Sequence, residues 1–348
     1  MPAPAVRIDG HLDLAFNAVA LGRDLSLPLD ELRARERRER ETAMVTWPEL
    51  RRADIAVVFG TLFAKPERPQ RPGASDAAVP GYRDPEEAHA QARAQLAWYE
   101  AAEAAGEARI LRSRADLEAH LAERAATDPG RRRTGVVVLM EGADPVRAPD
   151  ELAWWHRRGV RLLGPAWQAT RYAGGTRQPG GLTPLGEALI DAMNELVLPL
   201  DVSHLAEEAF WQALDRHRGA VLASHANART LTPTDRHLSD AMLDALAERD
   251  GVVGLVLGNP FLDPAASERP AGFDAIARQA AHVADRVGWS RVGIGSDLDG
   301  GFGREETPAE LERMADFGRL ADAVPPEHRD GVLGGNWWTF LQRALPPG

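Results

Sequence analysis

Short apolar runs rich in β-branched residues recur eight times along the chain: VRIDGHLDL, ADIAVVFGTLF, TGVVVLMEG, GVRLLGPAW, LVLPLDVSH, GAVLASHAN, GVVGLVLGN and RVGIGSDLDG. Most end in glycine or a polar side chain, the pattern of parallel strands buried on both faces. Between most of them the apolar positions change to helical spacing, which predicts helices over 85–105, 114–124, 149–158, 184–196, 206–216, 238–248 and 273–287. Eight strand–helix alternations are the sequence form of an α/β protein of the (β/α)₈, or TIM barrel, type; a doubly wound sheet more often stops at about five to seven strands. No repeat or linker interrupts the alternation, so residues 1–348 read as a single barrel domain.

Three segments fall outside the alternation. Asp30–Glu41 is a mixed run of charge, read as a solvated helix. Residues 65–85 hold several prolines and glycines and read as a surface loop inserted into the barrel, with a mobile lid as the other reading. Thr170–Thr183 is rich in glycine, but no Gly-Lys-Ser/Thr follows it, so it is not a phosphate-binding loop; a flexible loop over the barrel mouth suffices.

Composition narrows the chemistry. A formal charge of −11 over 348 residues argues against nucleic acid, which requires a basic face, and leaves a small solute as the expected partner. No stretch approaches the roughly 18 apolar residues of a membrane span, and the N-terminal sequence lacks the pattern of a signal peptide, so the expected location is the cytoplasm. Cysteine is absent, which excludes disulfides, thiolate nucleophiles and cysteine-bound metals. The only lysine is Lys65, in the proline-rich stretch, and this disfavours a Schiff base or a lysine-derived bridge between metals.

The polar residues at the strand ends carry the functional signal. His11 and Asp13 sit two apart at the end of the first run, so a period of two turns both to one side. Glu141 ends the third run, His204 the fifth, His225 the sixth and Asp297 the eighth. In a barrel these ends converge on one mouth, where active sites of this fold lie. Imidazole with carboxylate is the ligand set of Zn²⁺, with Mn²⁺, Fe²⁺ and Co²⁺ as alternatives, and six donors exceed the need of one tetrahedral ion. Two ions sharing a carboxylate fit better, and Glu141 is the carboxylate expected to bridge them. The other seven of the ten histidines lie on helices or loops and read as surface or packing residues.

In order along the chain stand H-L-D at His11–Asp13, M-E-G at Met140–Gly142, D-V-S-H at Asp201–His204, S-H-A-N-A-R at Ser224–Arg229, I-G-S-D-L-D-G at Ile294–Gly300 and G-G-N at Gly334–Asn336. This ordered set resembles the motifs of the renal, or membrane, dipeptidase family of binuclear zinc peptidases. The resemblance implies that His11 and Asp13 bind a first zinc, His204 and His225 a second, and Glu141 both, while Asp297 contacts the first and handles the proton of the water between them. It implies that Arg236 grips the substrate carboxylate, a task suited to a guanidinium's paired donors; without the resemblance a surface salt bridge would be the simpler reading. It also implies a homodimer.

Two departures stand out. Where the family carries a Thr-His pair after the fourth strand, whose histidine donates to the developing oxyanion, this chain has Ala166 and Trp167, and near the seventh strand it reads V-L-G-N. Trp167 is therefore a substrate-pocket residue of altered character, with Gln168, Arg171 and Tyr172 as other candidate donors. The expected activity is metal-dependent hydrolysis of the amide bond in dipeptides or small N-acyl amino acids. Hydrolysis of another small amide, lactam or ester, and a catalytically silent metal- or ligand-binding protein, are the alternatives, since a fold does not dictate a substrate.

Overall fold

The computed structural model describes residues 6–36, 41–67, 79–267 and 269–348. Its strands are β1 (Arg7–Leu12), β2 (Ile55–Phe63), β3 (Ala108–Ile110), β4 (Thr134–Glu141), β5 (Val160–Gly164), β6 (Ala173–Gly175), β7 (Gln178–Leu182), β8 (Leu200–Asp201), β9 (Val221–Ala223), β10 (Val252–Leu255) and β11 (Val292–Ile294). Eight of them, one from each apolar run, pair in parallel in the order β1-β2-β4-β5-β8-β9-β10-β11. The Asp297 N–H donates to the His11 carbonyl at 3.1 Å and draws the two end strands together. The result is a nearly closed TIM barrel.

The helices follow the expected pattern, and side-chain caps set where several begin. Asp84, Ser113, Thr183 and Ser239 each accept from the backbone N–H three residues on, starting the helices Pro85–Ala104, Arg114–Ala126, Pro184–Glu195 and Asp240–Glu248. Ser239 takes the cap, so that last helix starts two residues later than the apolar spacing indicates. The helix Leu29–Arg35 buries Leu29 and Leu32 and exposes its acidic residues, as a solvated helix should; the end of the charged run, 37–40, lies outside the described residues. Of the proline-rich insertion, 68–78 likewise lie outside them, while its ends are joined by Glu67 N–H to the Tyr82 carbonyl and Tyr82 N–H to the Lys65 carbonyl, both 2.8 Å.

Two features of the strand pattern were not expected. β3 pairs with β4 over Thr134–Val136 and leaves Val138–Glu141 to β5, so one long strand carries two neighbours on the same edge. Three residues are too short to show a strand period. The second corrects the reading of Thr170–Thr183 as a flexible loop: it contains the antiparallel hairpin β6–β7. Its glycines serve close approach, since a Cβ on Gly174 would lie 2.4 Å from the Gly180 carbonyl oxygen and one on Gly175 2.6 Å from that of Gln168.

Alternation along the strands divides the interior in two. Val57, Phe59, Val137, Leu139, Leu162, Leu222 and Val252 form one core with Trp337, Phe340 and Leu341 of the C-terminal helix Asn336–Ala344. Residues of the opposite parity, such as Val58, Val136, Val138, Met140 and Leu163, join the surrounding helices in the larger core. Trp337 donates through Nε1 to the Ile294 carbonyl at 2.9 Å, and Asn336 donates to the carbonyls of Trp289 and Val292, so the G-G-N motif anchors this helix to β11. Among the described residues no helix is long and apolar enough to cross a membrane.

Two buried histidines make this core sensitive to acid. His120 donates to the Ala56 carbonyl at 2.9 Å, and burial pushes its pKa down to about 4; burial does the same to His217. The unfolded chain therefore takes up protons between about pH 6.5 and 4 that the folded chain refuses, so their contribution to stability is present above that window and lost as pH falls through it. We expect the urea midpoint to drop between pH 7 and pH 5, and to drop less in His120→Gln. Equal drops in both proteins would remove His120 as a source.

Candidate metal centre at the barrel mouth

The parity that sends Val137 and Leu139 into the barrel sends Glu141 to its mouth, and that of Val57 and Phe59 places Thr61 beside Asp13, to which its hydroxyl donates. His11, Asp13, Glu141, His204, His225 and Asp297 all meet there, each no more than 8% exposed. His11 Nε2 lies 3.5 Å from Glu141 Oε2 and 3.9 Å from an oxygen of each of Asp13 and Asp297. The other Glu141 oxygen, Oε1, faces His204 Nε2 at 3.2 Å and His225 Nε2 at 3.5 Å. All six sequence-selected residues are thus brought together, with one carboxylate between two groups of donors.

The local backbone is shaped for this. His204 and Asp297 have φ of 67° and 58°, in the left-handed region that non-glycine residues adopt at a cost of about 1–3 kcal/mol. Two buried aspartates support the turns. Asp9 accepts from the N–H groups of Ser296 at 2.8 Å and His11 at 3.3 Å; Asp201 accepts from those of Ser203 at 3.0 Å and Ser224 at 2.9 Å. Each ties its own strand end to the serine preceding a donor on the next strand, Asp297 or His225. Thr176, at the tip of the β6–β7 hairpin, places Oγ1 2.9 Å from His204 Nδ1. Asp9, Asp201 and Thr176 were not among the sequence candidates. The two aspartates carry a trace in the D-x-H and D-x-x-H spacings, but nothing in the sequence joins Thr176 to His204.

Burial and crowding set the protonation of the bare cluster. Burial opposes charge on His11, but Glu141, Asp297 and Asp13 outweigh it and lift its pKa to about 10. Burial, then Glu141, raises Asp13 to about 6, and burial with the neighbouring Asp13 and Glu141 pushes Asp297 well above the carboxylate range. Glu141 goes the other way: despite burial, His11 and His204 hold it below its ordinary value. Burial, then Arg236, lowers His204 to about 3, and His225 is driven well down by burial and His11. His11 Nε2 is buried without a hydrogen-bond partner, and His204 Nε2 and His225 Nε2 stand 3.0 Å apart. Converging nitrogen and oxygen lone pairs of this kind suit a divalent metal.

The family model for membrane dipeptidases, peptidase family M19, matches residues 3–344. The chain belongs to this family. The structure of dipeptidase AC, an M19 metallopeptidase, matches it with a TM-score of 0.79 at 26% identity over 98% of each chain. A metallopeptidase from Rhodobacter sphaeroides, solved with a phosphinate mimic of the dipeptide L-Ala-D-Ala, matches with a TM-score of 0.76 at 27% identity over 99% of this chain and 100% of that one. A protein encoded in the pqqA 5′ region of Klebsiella pneumoniae is 32% identical over 261 residues, 70% of this chain and 91% of that one. This M19 chain is accordingly a metal-dependent hydrolase of the dipeptidase type.

The remaining candidates of this M19 chain separate cleanly. Arg236 is buried, not a surface salt bridge: Nη2 donates to the His225 carbonyl at 2.8 Å while Nη1 is buried without a hydrogen-bond partner among the described residues. Trp167 packs edge-on against Phe63 with ring centres 4.8 Å apart, in a cluster with Phe16 and Val79, and its ring centre is 6.2 Å from that of His204. Of the three other donors considered, Gln168, Arg171 and Tyr172, the last two are committed to the 144–147 segment: Arg171 to Asp144 and the Val146 carbonyl, and the Tyr172 hydroxyl to that same carbonyl.

Thr176→Val keeps the side-chain shape and removes the hydroxyl from His204. We expect it to weaken metal binding by about 10- to 100-fold with little change in melting temperature. Chelator competition together with a thermal melt checks this, and unchanged affinity would reduce Thr176 to a turn residue.

Proposed function

We propose that this chain is a binuclear dipeptidase in which Glu141 bridges two divalent ions, with zinc as the resident metal. His11 and Asp13 would hold one ion and His204 and His225 the other, with Asp297 beside the first. The observation that carries this reading is the division of Glu141, one oxygen toward His11 and the other toward His204 and His225. Once bound, the ions supply Lewis acidity to the attacking water and to the scissile carbonyl. Asp297 takes the proton released by the water and delivers it to the leaving amine. Arg236 receives the substrate's terminal carboxylate on its free Nη1, its other nitrogen already held by the His225 carbonyl, so the substrate is oriented against a fixed donor. Trp167, braced by Phe63, walls the pocket and shapes which acyl side chain fits.

Dipeptides with L- and D-residues at the C-terminal position, assayed beside N-acyl amino acids and lactones, test the substrate class; turnover of the latter two above all dipeptides would overturn it. Glu141→Gln should lower the affinity for both ions and abolish activity, because a neutral amide cannot balance two dications. Two ions retained per chain at wild-type turnover would eliminate the bridge. Asp297→Asn, at full metal content, should reduce kcat by about 10²–10⁴-fold and move KM only a few-fold, as expected for a group acting in the transition state. An unchanged kcat would take Asp297 out of the proton path.

A further inference from the structure

We propose that Ser224 is a positioning residue whose single hydroxyl fixes the ring orientation and tautomer of both His11 and His225, one donor for each ion of the binuclear centre proposed above, on which this inference rests. Ser224 is fully buried at the end of β9. Its Oγ lies 3.2 Å from His11 Nδ1, 2.9 Å from His225 Nδ1 and 3.3 Å from Ser203 Oγ. Both rings therefore turn Nδ1 toward the serine and Nε2 toward Glu141.

Counting protons assigns every partner. A hydroxyl has one proton to give and two lone pairs to receive with. Neutral imidazoles that bind metal through Nε2 must carry their proton on Nδ1, so His11 and His225 together fill both lone pairs of Ser224. The serine can accept twice only if its own proton has somewhere else to go, and Ser203 Oγ is the acceptor. Ser203 is held for this role, since its Oγ already accepts from the His225 backbone N–H at 3.1 Å. A single oxygen of Asp201 receives the backbone N–H groups of both serines, at 3.0 and 2.9 Å, and so sets their separation. The backbone packs closely around this strand end: a Cβ on Gly254 or Gly295 would lie only 2.0 or 1.8 Å from the Ser224 carbonyl oxygen, so both positions require glycine. His204 finds its Nδ1 partner outside this arrangement, in Thr176.

The test uses the protein loaded with cobalt(II), whose paramagnetism shifts the N–H signals of ligating imidazoles clear of the rest of the proton spectrum. Wild type should give exchangeable signals from His11, His204 and His225. In Ser224→Ala, the His11 and His225 protons should exchange with solvent at least about 10-fold faster while that of His204 does not change, and chelator competition should show both sites weakened by about 10- to 100-fold. A hydroxyl that merely filled space would move neither the paired signals nor both affinities. Ser203→Ala, which strips the acceptor from the Ser224 proton, should also weaken both sites and serves if Ser224→Ala does not fold. Two sites of wild-type affinity in the variant, loss at one site only, or equal acceleration of all three protons would overturn the inference and leave the binuclear reading standing. A wild-type chain that binds no cobalt would overturn both.

Discussion

Three carboxylates and three imidazoles share a mouth in which none is more than 8% exposed, and this concentration of buried charge is the constraint around which the molecule is arranged. A buried charge is tolerated when paired and hydrogen-bonded, and is otherwise removed by protonation. The side chains by themselves use both ways: Asp13 and Asp297 are pushed toward the protonated, neutral form, while a proton on His11 is favoured by the carboxylates it faces. A divalent ion offers the first way, since it attracts all three carboxylates without adding a proton. Left-handed backbone at His204 and Asp297, and a buried aspartate behind each pair of turns, keep the donors converged against their own repulsion.

Much of this was legible in the sequence because the barrel writes two periods at once. Strand parity ties Glu141 to the Val137 and Leu139 face, and the recurrence of the strands brings six separated donors to one end. The barrel, its order and its main helices follow from the same alternation. What escaped reading was either short or relational. β3 has three residues, fewer than a period needs to declare itself. The hairpin β6–β7 looked like a loop because glycine marks flexibility and close backbone approach with the same letter; only the proximity of Gly174 to Gly180 and of Gly175 to Gln168 tells them apart.

Arg236 and Trp167 show the limit of matching motifs one residue at a time. The family resemblance was needed to choose the arginine, and its character depends on a carbonyl that fixes one nitrogen and on burial that leaves the other unpaired among the described residues. For the tryptophan, a missing histidine signalled an altered pocket, and the structure adds that its indole is braced by Phe63 on β2. The alternatives Arg171 and Tyr172 were close in sequence and already engaged elsewhere, a difference that hydrogen-bond partners reveal and neighbouring letters do not.

The hairpin tip touches two sides of the site with consecutive residues. Thr176 meets His204, and the Arg177 N–H donates to the Asp235 carboxylate at 2.6 Å, one residue before Arg236. A displacement of this tip is therefore felt both by an imidazole at the mouth and by the segment that presents the guanidinium. In the centre proposed above, such a shared support would let occupancy at one side bear on the other. Linkage is reciprocal: whatever factor an ion at His204 contributes to carboxylate affinity at Arg236, strengthening or weakening, a bound carboxylate returns in the affinity for that ion.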